Sequence, residues 1–482
     1  MAVFRRVRQL LLIGSGLMGA VAVYGQEPIT TDSAVALPIV ASAVEASTNP
    51  IAASLSSTVI SADPAVKPKP PHQFVKWSDG LTFEAEDGSV KAHLGALIQQ
   101  DWTAFGQSES LLSDPTIGDI QDGVFFRRGR IKFDGKAYGI LEWDLDVELI
   151  AQPSVTFDDL WFGLTQLPVI GNARAGHVKI PMGLESVTSN RALTFLERSS
   201  AFDAFWQEYD PGILIFNNWS DTDGTWAACF HRIDDQTDTA DFGDGEYAGT
   251  FRATFLPLHS DDDTCLLHIG AAYQVRDTKF DPASGRDAVR FRARPELRNG
   301  NTPGTPRFVD TGLIGGNAVH TMAAEAALIW GPFSVQAEYA AAMTTDAVTG
   351  GVDRGTAMFQ GWYAQASYFL TGESRAYDRR LGRFARVRPK QNFWTMEDDG
   401  CGKKVPCFHA GAWELAARYS VIDLNDAGIF GGEMRDTTIG LNWHWNINTR
   451  WQANYIFTER NVTAPRNDGV SHEFGLRFSL DI

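Results

Sequence analysis

Arg128, Arg130 and Lys132 stand two residues apart, and Glu142, Asp144, Asp146 and Glu148 repeat that spacing a short distance later. Successive side chains of an extended chain point to opposite sides, so each set occupies one face of a strand. The basic set could hold an oxyanion, because a guanidinium offers a planar fork of donors and keeps its charge. The two sets could equally neutralise each other across adjacent strands, since facing opposite charges stabilise a strand pair. Catalysis is the weaker reading of the carboxylates, whose regular i, i+2 spacing is what any wet strand face produces.

Other cations extend the pattern. Lys179, just before Pro181, shares the parity of His177; Arg191 and Arg198 follow in a connecting segment where Glu197 is a local partner for Arg198. Two basic runs, Arg286 to Arg298 and Arg375 to Lys390, fall in long connections expected on one outer side. They could draw anions to a mouth, contact lipopolysaccharide phosphates, or simply keep loops soluble. Cys401 and Cys407 flank a short loop and could close a disulfide ring; with His409 they would be one ligand short of a zinc site. Cys229 and Cys265 sit in strand-like runs and read as packing residues.

No enzyme signature emerges. His472-Glu473 lacks the second histidine of a metalloprotease helix, no G-x-S-x-G elbow occurs, and Asp221-Thr-Asp-Gly224 has too few ligands for a calcium loop. The G-x-G-x-x-G match at 14–19 lies inside an apolar leader without a strand-turn-helix around it. No catalytic residue, metal or cofactor is expected, and a net charge of −17 argues against a nucleic-acid partner.

The elements that must position these residues follow from the stretch 140–149. Leu141, Trp143, Leu145, Val147 and Leu149 take one face and the four carboxylates the other, so the strand needs one apolar and one wet environment. A soluble sandwich or a membrane barrel supplies both. Arg5, Arg6 and Arg8, an apolar run and small residues before Gln26 predict a secretory signal peptide over 1–25. Residues 26–72, rich in Ala, Ser, Thr and Pro, predict a linker without a core. No later run approaches the roughly 18 apolar residues of a spanning helix, so the mature chain is soluble and exported or spans as strands.

From there to residue 482, about sixteen alternating runs are separated by turns, an even number as in single-chain outer-membrane barrels. Tight turns at 135–139, 330–333 and 446–449 contrast with long connections at 181–211, 278–316 and 371–409, which predicts short periplasmic turns and long extracellular loops. Trp102, Phe105, Trp161, Trp219, Trp362, Tyr363, Trp443, Trp445, Trp451 and Tyr455 together suggest interfacial girdles.

Three blocks resemble the phosphate-selective porins of the O and P type: Phe126-Arg-Arg-Gly-Arg-Ile-Lys-Phe-Asp-Gly135 with the acidic strand after it; Gly176 to Glu185 with Ser189-Asn-Arg-Ala-Leu-Thr-Phe-Leu-Glu-Arg198; and Tyr368 to Glu373 with 411–420 and Gly440-Leu-Asn-Trp443. The resemblance spans nearly the whole mature chain. It implies an all-β transmembrane antiparallel barrel over 73–482, a bacterial outer-membrane location among lipid, a homotrimer, and passive passage of small anions, phosphate or polyphosphate foremost. Arg128, Arg130, Lys132, Lys179, Arg191 and Arg198 are then the pore candidates. The alternatives are a non-selective or cation-preferring porin of the same fold, an exported ligand-binding sandwich, and a barrel hydrolase.

Overall fold

The computed structural model describes residues 74–77, 80–150, 155–205, 208–233, 246–281, 285–300, 304–400 and 403–482. The expected leader at 1–25, the linker at 26–72 and the Cys401 half of a Cys401–Cys407 ring lie outside the described residues.

The period-two runs form the strands of one wall. In chain order these are β1 Val90–Gln107, β2 Gly123–Ala137, β3 Leu141–Glu148, β4 Thr156–Leu167, β5 Gly171–Lys179 and β6 Tyr209–Trp219. Then come β7 Gly224–Arg232, β8 Tyr247–His259, β9 Cys265–Asp277, β10 Ala318–Trp330 and β11 Phe333–Thr349. The last are β12 Val352–Phe369, β13 Ala412–Asp426, β14 Ile429–His444, β15 Thr449–Asn461 and β16 Gly469–Asp481. Each pairs antiparallel with the next, and β16 returns to β1 in a register from Ser471↔Gln107 to Asp481↔Leu97, closing a sixteen-strand barrel. Closure leaves the wall without an unpaired strand edge, the condition for spanning hydrocarbon with strands.

The faces divide as the alternation requires. Ile131, Phe133, Leu141 and Leu149 are exposed on the outside, while Arg128, Asp146 and Glu148 are buried inside. Trp219, Phe255, Trp330, Phe333 and Tyr368 are exposed at strand ends on one rim, and Phe126, Phe230 and Tyr247 on the other, as two girdles. Trp161 and Tyr363 are not part of them: both are buried, Trp161 under the Arg174 guanidinium and Tyr363 against Phe202. Cys229 is buried in β7 and Cys265 half-buried at the start of β9.

Connection length does not assign the rims as cleanly as expected. Turns 138–140, 168–170, 220–223, 260–264, 331–332 and 445–448 share one rim, and 108–122, 180–208 and 278–317 share the other. Counting strands, 370–411 follows β12 and therefore belongs to the short-turn rim, so the Arg375 to Lys390 run is not on the outer side. The parity is fixed by the two-residue hairpin Gly350-Gly351, whose φ values of 58° and 78° are those a tight turn matched to strand twist requires.

The interior carries a core of its own. Phe202 and Phe205 from 180–208 and Phe291 and Phe308 from 278–317 pack on Phe359 and Tyr363 of β12, with Phe205–Phe291 and Phe291–Phe359 centroids 6.0 and 5.3 Å apart. Both long loops thus fold inward against the β11 to β16 wall.

Candidate permeation path

The inward loops leave open space along the β2 to β6 wall. One cavity of about 370 Å³ is lined by Arg127, Arg128, Arg130, Glu197 and Arg198 and by Arg294, Arg298 and Arg307 of the long-loop rim. A second, of about 420 Å³, is lined by Lys132, Lys179 and Arg191 and by Arg380 and Arg383 of the short-turn rim. Arg130, Asn190 and Tyr209 line both, so they mark the junction between the outer and inner halves. All six basic residues singled out in the sequence therefore meet around two adjoining cavities.

Their partners differ. Arg130 donates to Glu148 at 2.9 Å and also pairs with Asp158; Lys132 Nζ is 2.8 Å from Asp144. At these two positions the cross-strand charge ladder is real. Arg191 reaches Asp481 at 3.0 Å, and Arg198 pairs with Glu208 while donating to the Glu185 and Thr188 carbonyls. Arg198 thus ties its loop together rather than pairing with the adjacent Glu197. Arg128 donates to the Gln99 side-chain oxygen at 2.8 Å, and Lys179 lies 4.7 Å over the Tyr209 ring with its hydroxyl at 3.3 Å. Among the described residues, neither Arg128 nor Lys179 has an ion pair with a carboxylate.

Arg127 escapes a reading based on strict alternation. A register shift between Gln99 and Gln100 places a bulge at Arg127, so Arg127 and Arg128 both turn inward. Arg127 then grips Glu197 with two hydrogen bonds of 2.7 and 2.9 Å. Arginines also dominate the outer mouth: Arg298 lies 3.1 Å from Asp203, and Arg307 pairs with the same carboxylate. Burial pulls Asp203 upward, but Arg298, Arg307 and Arg294 outweigh it and hold the carboxyl below the usual aspartate range. Arg294 in turn falls to about 9 through burial and the neighbouring Arg298.

The crossing loop is held from the opposite wall. Leu184 and Glu185 N–H groups donate to Glu338 at 2.7 Å, Arg450 donates to the Leu193 and Asn190 carbonyls, and Arg477 to Leu196 O at 2.6 Å. This segment reaches across the lumen from β5 to β16, and its Asn190 lines the junction.

Comparison with known proteins agrees with the geometry. The sequence profile of the phosphate-selective porin O and P family matches residues 111–481. Porin O of Pseudomonas aeruginosa is 27% identical over 412 residues, covering 79% of this chain and 86% of that protein. A protein of Caulobacter vibrioides is 27% identical over 426 residues, covering 86% and 78%. An anion-selective porin from Comamonas acidovorans superposes with a TM-score of 0.49 at 10% identity, over 81% of this chain and 100% of that one. With a closed strand wall, a wet charged lumen and a family match across most of its length, this chain belongs to the phosphate-selective porin O and P family and is a porin of the bacterial outer membrane.

Proposed function

We propose that this porin passes small anions, inorganic phosphate or polyphosphate in particular, by passive diffusion along the β2 to β6 wall, without a catalytic step and as a homotrimer. The observation that carries the reading is that, among the described residues, Arg128 and Lys179 border the two cavities without an ion-paired carboxylate. An oxyanion arriving there meets positive charge that no adjacent ion pair offsets. The acidic strand does not set the opposite sign, because Glu142, Asp144, Asp146 and Glu148 each face a lysine or arginine within 3.8 Å. The phosphate assignment rests on the family and on the fork geometry of arginine.

The test is a planar-bilayer measurement under a salt gradient, followed by phosphate block of the chloride current. Chloride should permeate better than potassium. Arg128→Met and Lys179→Gln should each weaken phosphate block about tenfold, the ~1.5 kcal/mol of one hydrogen bond to a charged group. Equal permeability of the two ions, or unchanged block in both variants, would remove the basis of the assignment.

A further inference from the structure

The 370–411 connection splits at the short-turn rim. Its first part enters the lumen, where Arg375 donates to Gln336 at 2.9 Å and Arg386 to Asp481 at 3.0 Å. Its second part turns the other way. Trp394–Asp398 and Lys404–Phe408 pair as a hairpin whose base rests on the outside of the barrel. There the Phe393 ring sits 4.8 Å from Trp443 and 5.2 Å from Trp445, and the Trp443 and Trp413 indoles donate to Ala410 O at 2.9 and 3.1 Å. Trp443 shares the outward register of β14 with Ile439 and Leu441, both exposed.

The hairpin has two unlike faces. Trp394, Met396 and Phe408 are exposed on one, with Trp394 and Phe408 stacked at 6.3 Å and Met396 paired with Pro406. On the other, Thr395, Glu397 and His409 hydrogen-bond among themselves at 2.9 to 3.2 Å. Polarity also changes along its length, from aromatic at the base to Asp398 and Lys404 at the far end. A lone two-stranded hairpin is marginal in water, and an exposed aromatic face on one marks a contact surface.

We propose that this aromatic face is a lipid contact: Trp394, Met396, Pro406 and Phe408 extend the short-turn girdle into the headgroup zone of the periplasmic leaflet and moor the connection to the bilayer. Continuity with the outward tryptophans, through Phe393, selects lipid over a soluble partner, since amphipathic aromatic rings collect at that depth. The charged end reaches the water beyond. The same connection supplies Arg380 and Arg383 to the inner cavity, so the mooring fixes the base of the inner mouth.

Nitroxide labels at Met396→Cys and Phe408→Cys, with the native cysteines changed to alanine, test this in vesicles of phosphatidylethanolamine and phosphatidylglycerol. Both sites should favour collision with oxygen over a nickel chelate several-fold more than Glu397→Cys does. Preference for nickel at both, as at Glu397→Cys, would put the face in water; exclusion of both reagents would put it against a second copy of the chain. Either overturns the lipid contact. A cysteine-independent readout is tryptophan emission in vesicles with brominated acyl chains: the difference between wild type and Trp394→Phe should be strongly quenched, and an unquenched difference overturns it as well.

Discussion

The two walls of the lumen use the same residue type for opposite ends. On β2 and β5, among the described residues, Arg128 and Lys179 border cavities without an ion-paired carboxylate, and Arg130 and Lys132 border them while paired. On β13, β15 and β16, Arg418, Arg450 and Arg477 point inward with the same alternation but are buried under the folded loops. Arg418 binds Glu296 at 2.5 Å, Glu185 at 3.0 Å and Glu197 O at 3.1 Å; Arg477 binds Asp101 twice at 2.7 Å and Glu197 at 2.9 Å. Arg128 is as buried as these three, so the difference lies in the partners: the far-wall guanidiniums are held by loop carboxylates and carbonyls and act as staples, whereas the Arg128 guanidinium meets a neutral glutamine.

The division breaks most visibly in stability. Arg418→Met leaves the buried Glu296 and Glu185 without their main counter-charge, which should cost about 3–5 kcal/mol. Arg128→Met removes a donor to a neutral glutamine and a buried Nε that has no acceptor, and should stay within about 1 kcal/mol of wild type. Denaturant unfolding of the micelle-bound barrel compares them directly. Equal losses would mean that the far-wall arginines are no more structural than the near-wall ones.

A smaller effect separates residues within the near wall. Arg130 borders both cavities, and its removal leaves Glu148 and Asp158 uncompensated at the junction. Lys132 borders only the inner one and compensates Asp144. Arg130→Met should therefore lower chloride-over-potassium permeability by a larger factor than Lys132→Met, read from reversal potentials at low salt. The opposite ranking would move the selective point away from the junction and into the inner cavity.

Much of this wall was legible in the chain. The sixteen or so alternating runs correspond to the sixteen strands of the barrel, because burial on one side and water on the other imposes period two without any long-range information. Arg128, Arg130, Lys132 and Lys179 line the two cavities for the same reason. What the pattern could not supply was the partner of each inward charge. Arg418 and Arg128 obey the same parity, and only the fold of 180–208 and 278–317 brings Glu185 and Glu296 to one of them. Arg127 was lost to a bulge, which changes parity without changing residue types. The rim of 370–411 was misjudged because length was taken for sidedness, whereas sidedness depends on counting strands through tight turns such as 350–351.

The smallest effect concerns the outer mouth, where Asp203 offsets part of an arginine cluster. Its carboxyl is held low by Arg298, Arg307 and Arg294 against the opposing pull of burial. A depressed folded value means the pairing is fully present above the ordinary aspartate pKa of about 3.9 and is lost only as pH falls through the lowered one. Anion preference should therefore be insensitive to Asp203 from neutral pH down to about 4. Below that, protonation removes one negative charge from the mouth, frees Arg298 and Arg307, and should raise chloride preference modestly. Asp203→Asn should show the raised preference already at neutral pH and lose the acid limb. Reversal potentials at about 0.01 M salt, where the screening length reaches about 30 Å, make so small a change readable. An acid limb that persists unchanged in Asp203→Asn would take Asp203 out of the mouth's pH response and overturn this prediction.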